Sequence, residues 1–337
     1  MFIADGHLDL AYNALRGRNV LTDAINQPPD DEGIPTVGLP DLRRGSVSLI
    51  TATIFCEPAG EGKGGYTTAE EASAAGKAQL DWYLHQRDAG VFRFVESSAD
   101  VPTVPAGDAP MPMVLLLDGA DPIRDASEVP WWFSRGLRAV GLAWKQTRYA
   151  GGTRAPGPLT TEGVALATAL DAAGIVHDLS HLAEESFWQL LDLTSGPVMA
   201  SHSNCRSIVP TDRQLSDDMI RAITECAGVI GINFYYKFLL SPGEIDNRRA
   251  ALIDVARHAR HICDLAGNAD CVALGTDMDG GLGRDEIPRE IITSADLPKV
   301  ADALSAAKFS DEDVRKIMGK NWACFWRKCG ASWPPCG

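Results

Sequence analysis

The sequence predicts an α/β fold, a (β/α)8 TIM barrel, from three observations. Short runs rich in β-branched residues alternate with longer helical patterns along the 337 residues, and there are eight such runs. The runs are largely apolar, as in parallel sheets that are buried on both faces. No repeat of fixed period, low-complexity tract or composition break marks a second domain. We therefore predict one barrel domain over 1–337, with a doubly wound open sheet as the structural alternative.

The predicted elements follow one another in chain order. Strands are predicted at 2–5, 47–55, 112–117, 137–143, 174–179, 197–200, 228–234 and 271–275. Helices are predicted at 68–87, 161–173, 183–193, 216–226 and 242–266. Thr160 and Ser310 stand where a hydroxyl can cap the first amides of a helix. The glycine-rich segments 57–66 and 151–157 follow strands, and we expect surface loops there, at the mouth of the barrel.

The charge balance excludes several kinds of partner. The chain has 31 Lys and Arg against 45 Asp and Glu, a formal net charge of −14. Nucleic acid and anionic membranes attract the opposite excess, so neither is an expected partner. The N-terminus lacks the pattern of a signal peptide and no apolar run is long enough to span a bilayer, so we predict a cytoplasmic protein. In that compartment the eight cysteines are expected to be free thiols.

Histidine and aspartate residues follow five of the eight predicted strands. The segments are DGHLD at 5–9, DGAD at 118–121, HDLSH at 177–181, SHS at 201–203 and DMD at 277–279. Because the carboxyl ends of barrel strands face one mouth, where barrel enzymes have their active sites, these side chains are expected to converge. Of the seven histidines, only His85, His258 and His261 lie elsewhere, on predicted helices, and we expect those three to be solvated or capping groups.

The residue types at the strand ends favour metal chemistry. His7 and Asp9 are two positions apart, so both point to the same side of an extended segment and can bind one cation. Imidazole and carboxylate without thiolate favour Zn²⁺ or a similar divalent ion, and such mixed sites commonly hold two metals that activate water. The phosphate-binding loop of Walker type and the Gly-x-Ser-x-Gly elbow of serine hydrolases are both absent. The sequence therefore predicts metal-assisted hydrolysis.

Taken together, these motifs resemble the membrane (renal) dipeptidase family of zinc peptidases, which have a metal-dependent hydrolase barrel. The resemblance runs nearly from end to end. It is carried by DGHLD (5–9), LLLDGADPI (115–123), HDLSHL (177–182), SHSNCR (201–206), RQLSDD (213–218), GINFYY (231–236), GTDMDG (275–280) and SDEDVRKIMGKNW (310–322). Each segment is weak alone, but their order and spacing are specific.

The resemblance implies a role for each matching residue. His7 and Asp9 would bind the first of two Zn²⁺ ions, His181 and His202 the second, and Asp118 would bridge them. Asp277 would be the catalytic acid and base that orients a metal-bridged hydroxide and protonates the leaving amine, with Asp279 as a supporting neighbour. Arg213 matches the arginine that faces the substrate carboxylate, a pairing suited to a bidentate guanidinium. His177 matches no such role, and we interpret it as a core histidine.

Two positions depart from the family pattern. The bridging acid is usually Glu, and Asp118 is one methylene shorter, so the metal spacing, the backbone or the number of bound metals must differ. At the end of the fourth strand the renal-type enzymes carry a His that contacts the reacting carbonyl, whereas this chain has Trp144. Trp144 is expected to shape the substrate pocket, and its indole N–H could still donate one hydrogen bond. Neighbouring Lys145 is a further candidate donor or, alternatively, a carbamylated bridging ligand.

The predicted function is hydrolysis of dipeptides, including those with a D-residue at the C-terminal position. Two alternatives remain open at this stage. One is an amidohydrolase that acts on another small amide or a lactone with the same metal scaffold, and the other is a catalytically weak barrel that only binds metal. Family members are commonly dimeric, so a homodimer is also expected.

Overall fold

The computed structural model describes residues 1–60 and 65–333. The strands of this part of the chain are β1 (Ile3–Leu8), β2 (Val47–Phe55), β3 (Phe92–Phe94), β4 (Met111–Asp118), β5 (Leu137–Gly141), β6 (Ala150–Gly152), β7 (Ala155–Leu159), β8 (Val176–Asp178), β9 (Val198–Met199), β10 (Ile230–Ile232) and β11 (Val272–Leu274).

Eight of these strands form a parallel ring in the order β1–β2–β4–β5–β8–β9–β10–β11. Strand β11 pairs with β1, and between β9 and β10 the ring is joined by the bridge of Ala200 to Ile230. There the Ala200 amide donates to the Val229 carbonyl at 2.9 Å. Strand β3 pairs with the first half of β4, off the ring, and β6 and β7 form an antiparallel hairpin. The predicted (β/α)8 barrel is confirmed, and all eight predicted strands belong to the ring.

Helices alternate with the strands along the chain. They are α1 (Leu10–Leu15), α2 (Leu39–Arg44), α3 (Ala69–Asp88), α4 (Val129–Phe133), α5 (Thr161–Ala173), α6 (Glu184–Leu193), α7 (Asp217–Glu225), α8 (Tyr236–Leu239), α9 (Pro242–Ile245), α10 (Leu252–Ala266), α11 (Lys299–Ala306), α12 (Asp311–Arg315) and α13 (Asn321–Gly330), with a π-helical segment (Lys316–Lys320) between the last two. None of the helices in the described residues is long and apolar enough to cross a membrane.

The local sequence explains where the helices begin. The Thr160 hydroxyl accepts the Gly163 amide at 3.0 Å, and the Ser310 hydroxyl accepts the Asp313 amide at 3.2 Å, so both predicted caps are confirmed. Helix α5 ends at Ala173 and is capped by Gly174, whose φ of +71° is one that glycine adopts without strain. For that reason strand β8 begins at Val176, two residues later than predicted.

Three predictions about single segments are wrong. The predicted helix 242–266 is two helices, because the Asp254 carboxylate accepts the Ala251 amide at 3.0 Å and starts α10 afresh. The predicted loop 151–157 largely forms the β6–β7 hairpin, with Gly152 opposite Ala155. His258 is fully buried rather than solvated. Its Nδ1 atom accepts a hydrogen bond from the Cys205 amide at 3.2 Å. Residues 61–64 of the predicted loop 57–66 lie outside the described residues. Cys336, the last of the eight cysteines, lies outside them too.

The barrel register brings polar strand ends to one level. Asp118, the last residue of β4, pairs with Gly141 of β5, which in turn pairs with Asp178 of β8. Strand β4 is buried along its whole length, apolar from Met111 to Leu117 and then acidic. A buried carboxylate at the end of an apolar strand is costly unless it binds or pairs with something, so this level of the barrel is where a functional site is expected.

Candidate active site

A cavity of about 1450 Å³ opens at the carboxyl ends of the barrel strands. Its wall includes all eight residues that the sequence assigned to the site: His7, Asp9, Asp118, Trp144, His181, His202, Arg213 and Asp277. Six of these residues are buried in the described structure, and His181 and Trp144 are half-buried. The predicted convergence of strand ends is therefore what the fold produces.

Three carboxylates surround the imidazole of His7. Its Nε2 atom lies 3.8 Å from Asp118 Oδ2, 3.9 Å from Asp9 Oδ1 and 3.9 Å from Asp277 Oδ1. His7 and Asp9 come from the end of β1, while Asp277 follows β11, the neighbouring strand in the ring. These distances leave room for a cation between the ring nitrogen and the carboxylate oxygens.

A second group of donors also includes Asp118. The Nε2 atoms of His181 and His202 are 2.9 Å apart, and together with an oxygen of Asp118 they form a set whose ligand atoms lie within 4.8 Å of one another. Asp118 Oδ1 is buried and has no hydrogen-bond partner among the described residues. Asp118 is thus near the donors of both groups, and His202 also forms a set of ligand atoms with His7 and Asp277.

Hydroxyl groups hold the opposite edges of the three imidazoles. Ser201 Oγ lies 3.1 Å from His7 Nδ1 and 2.7 Å from His202 Nδ1, and Thr153 Oγ1 lies 3.0 Å from His181 Nδ1. All three Nε2 atoms are therefore left for the centre of the site. Thr153 is in the turn between β6 and β7, the segment that the sequence predicted as a loop.

The acids of the site are also held from behind. Thr53 Oγ1 donates a short hydrogen bond to Asp9 Oδ1, and Asn233 Nδ2 donates to Asp277 Oδ2 at 2.8 Å. Asp279 faces away from the ligands, because its oxygens accept the amides of Thr36 and Val37 at 2.8 and 2.9 Å. Asp279 therefore anchors the segment after β1 to the end of β11.

Burial sets the protonation of the site. It lowers the pKa of His7 to about 3 and the pKa values of His181 and His202 well below the usual range. It raises the pKa of Asp9 to about 7, and the pKa values of Asp118 and Asp277 well above the usual range, with further raising by neighbouring carboxylates. The imidazoles are thus neutral ligands, and the carboxylates need a nearby cation to ionise easily.

The donor set fits divalent metal ions. Two neutral imidazoles with lone pairs on nitrogens 2.9 Å apart repel each other unless a cation or a proton lies between them. Three histidines and three aspartates, with no cysteine among them, match the oxygen and nitrogen donors that zinc and similar ions take. The unpartnered Asp118 oxygen supplies a further free donor atom.

Arg213 carries positive charge to the wall of the cavity. Its guanidinium donates to the His202 carbonyl at 2.6 Å and to Ser203 Oγ at 3.0 Å, and its Nε has no hydrogen-bond partner among the described residues. Burial lowers its pKa, but acids nearby, Asp277 first, oppose that shift. The planar group is fixed in place by protein contacts before any ligand binds.

Trp144 lines the same cavity beside the second group of donors. Its ring centroid is 6.1 Å from that of His181 and 5.2 Å from that of Phe55, which it meets edge to face. The exposed side chain of Lys145 lies over the indole, with Nζ 5.0 Å from the ring centroid. His177 is buried elsewhere, with Nε2 2.7 Å from Asp171 of α5, as expected of a structural histidine.

Sequence reasoning missed the residues that support the ligands. Ser201, Thr53, Thr153 and Asn233 are common residue types, and none of them is marked by charge or spacing. Only the position of Ser201, directly before His202 at a strand end, was a usable signal.

The model of the membrane dipeptidase family, peptidase family M19, matches residues 1–331. The chain belongs to the membrane dipeptidase family. The family model and the matching metallopeptidase structures show a metal-dependent dipeptidase. This confirms the family and the activity that the sequence predicted.

Solved structures of metallopeptidases share the fold of this family member. A metallopeptidase from Rhodobacter sphaeroides, solved with a phosphinate mimic of the dipeptide L-Ala-D-Ala, matches with a TM-score of 0.83 at 26% identity, over 98% of this chain and 99% of that one. The dipeptidase AC, of family M19, matches with a TM-score of 0.84 at 27% identity over the same shares.

Curated relatives match this chain at 27–30% identity. A Klebsiella pneumoniae protein encoded in the pqqA 5′ region, uncharacterized, is 30% identical over 249 residues, 71% of this chain and 89% of that protein. Three further relatives, 27–30% identical, are matched over only 39–51% of their own length.

Proposed function

We propose that this dipeptidase uses two Zn²⁺ ions to hydrolyse dipeptides, including those with a D-residue at the C-terminal position. The observation that carries the proposal is that Asp118 lies 3.8 Å from His7 Nε2 and also shares a set of ligand atoms with His181 and His202. A carboxylate shared by two sets of nitrogen donors is the arrangement that two-metal hydrolases use.

The ligands divide between the two ions by position. His7 and Asp9 would hold the first ion, His181 and His202 the second, and Asp118 would contact both. When bound, the ions would supply Lewis-acid polarisation of the scissile carbonyl and a lowered pKa of water. Asp118 is one methylene shorter than the usual Glu but keeps both carboxylate oxygens, and its Oδ1 is a free donor atom with no hydrogen-bond partner among the described residues.

Asp277 is the proposed acid and base. Its pKa is raised, first by burial, and this favours the protonated form that can donate to a leaving group. Asn233 fixes one oxygen, and the other lies 3.9 Å from His7 Nε2 at the centre of the site. Asp277 would accept a proton from that water and donate it to the leaving amine.

Arg213 and Trp144 are the proposed substrate-binding residues. The guanidinium of Arg213 would pair with the free carboxylate of the dipeptide, because it is charged, planar and already held by Ser203 and the His202 carbonyl. Trp144 would form an apolar wall beside the scissile bond, where renal-type enzymes have an imidazole. The inhibitor in the Rhodobacter structure mimics L-Ala-D-Ala, and this supports L-Ala-D-Ala as the first substrate to test.

A dipeptide panel tests the proposal. The zinc-loaded protein is expected to release D-Ala from L-Ala-D-Ala and to act far more slowly on L-Ala-D-Ala amide, which lacks the carboxylate for Arg213. Equal rates on both compounds would refute the role of Arg213. Failure on every dipeptide, with turnover of a lactone or cyclic amide, would favour the other amidohydrolase activities. Failure on all of them would favour a barrel that only binds metal.

Other expectations from the sequence remain proposals. A cytoplasmic location, a homodimer, and the absence of nucleic-acid and membrane partners rest on composition and on family resemblance alone. The single domain over 1–337 also remains a proposal from the sequence.

A further inference from the structure

One hydroxyl contacts an imidazole of each proposed metal site. Ser201 Oγ lies 3.1 Å from His7 Nδ1 and 2.7 Å from His202 Nδ1. The two rings are 3.7 Å apart between centroids, and Ser201 is fully buried. His7 comes from β1 and Ser201 is the second residue after β9, so this contact joins strands that are not neighbours in the ring.

The available N–H and O–H protons decide which group donates in the two contacts of Ser201 with the rings. A histidine that ligates through Nε2 must carry its proton on Nδ1, because a neutral imidazole has one N–H. The hydroxyl oxygen has two lone pairs and can accept both Nδ1 protons at once. Asp178 offers an acceptor for the hydroxyl's own proton, because its Oδ1 accepts the Ser201 amide at 2.9 Å and its buried Oδ2 has no hydrogen-bond partner among the described residues.

A Ser201 hydroxyl that donated to one of the rings would disable the metal site to which that ring belongs. If the Ser201 hydroxyl donated to either ring, that Nδ1 would be a bare lone pair and the proton of that ring would be on Nε2. A protonated Nε2 cannot bind a cation. The acceptor role of Ser201 is therefore the one compatible with both histidines as ligands.

We propose that Ser201 is a positioning residue that holds His7 and His202 in the same tautomer and so prepares both metal sites together. This inference rests on the proposed two-metal function. It implies that loss of one hydroxyl weakens both sites, although the side chain contacts neither metal.

Thr153 provides a matched comparison. Its Oγ1 lies 3.0 Å from His181 Nδ1 and 3.4 Å from the His181 carbonyl, so it can accept the ring proton and donate its own. It supports one histidine of the second site only. Thr153→Val removes that hydroxyl, just as Ser201→Ala removes the shared one.

Zinc titration of the metal-free proteins against a competing chelator tests the inference. Ser201→Ala is expected to raise the Kd of both sites by about 10- to 100-fold, the usual effect of losing a group that supports a metal ligand, and Thr153→Val to raise one Kd only. A Ser201→Ala protein with one or both sites unchanged would overturn it. If wild-type protein binds a single ion, the two-metal function itself fails.

A second measurement does not depend on a variant that folds. In ¹⁵N–¹H spectra of histidine-labelled, zinc-free wild-type protein, His7 and His202 are both expected to carry their proton on Nδ1, and His181 is expected to supply the Nε2 proton of its 2.9 Å contact with His202. A population of either ring with its proton mainly on Nε2 would contradict the role of Ser201.

Discussion

At the residue scale, Asp277 combines the two properties that proton transfer requires. It is buried among carboxylates, which raises its pKa, and one of its oxygens is fixed by Asn233. Its φ of +57° is uncommon outside glycine, and such backbone strain is typical of functional positions.

Asp277→Asn tests that role. The amide has nearly the same shape but cannot accept the proton, so kcat is expected to fall by about 10²- to 10⁴-fold while zinc content, measured by elemental analysis, stays the same. Asp270→Asn, which changes an exposed carboxylate paired with Lys316, is the control and should leave kcat unaltered. An active Asp277→Asn enzyme would rule out the assignment.

The residues of the site were predictable to different degrees. Histidines and aspartates at strand ends stand out, because charge at the end of an apolar strand is rare without a function, and all eight predicted positions line the cavity. Ser201 and Thr153 could not be predicted, because their roles depend on contacts between strands far apart in sequence.

At the scale of elements, the turn after β11 must pass close to the ligands. A Cβ atom on Gly280 would lie 2.0 Å from Asp277 Oδ1 and 2.8 Å from Asp9 Oδ2. Only glycine leaves space for both carboxylates at this position.

Gly280→Ala is therefore expected to push Asp277 and Asp9 out of place. Zinc affinity should fall by about 10-fold or more, as for other losses of ligand support, while the melting temperature of the zinc-free protein changes little. Chelator competition and calorimetry measure the two quantities. Gly243→Ala, where no atom lies within 4 Å of the new Cβ, is the control. Unchanged zinc affinity in Gly280→Ala would show that the turn can move away.

The strands were better predicted than the connections between them. The eight ring strands are apolar runs bounded by helices, which is a strong local signal. The strands β3, β6 and β7 were missed because they have no apolar run: β3 has Arg93 at its centre, and β6 and β7 are rich in glycine and proline. The break before α10 was missed because it depends on the Asp254 cap rather than on a helix-breaking residue.

At the scale of the whole molecule, His258 links stability to pH. It is buried, accepts the Cys205 amide at Nδ1 and faces the Leu239 carbonyl with Nε2 at 3.2 Å, so the neutral ring satisfies both partners. Burial lowers its pKa to about 4, against 6.5 for an ordinary histidine. Its contribution to stability is therefore complete above pH 6.5 and is lost as pH falls toward 4.

The zinc-free wild-type protein should thus lose more stability between pH 6.5 and 4 than His258→Asn, which has no group to protonate there. The difference is expected to be at most about 3 kcal/mol, from the size of the pKa shift. Urea unfolding at several pH values gives both curves. Parallel curves for the two proteins would show that His258 does not titrate on unfolding.

The central claim is a pair of metal ions joined by Asp118, and anomalous diffraction from zinc-loaded crystals at the zinc edge tests it most directly. Two peaks are predicted, one beside His7, Asp9 and Asp118 and the other beside Asp118, His181 and His202. A single peak, or two peaks that do not share Asp118, would contradict it.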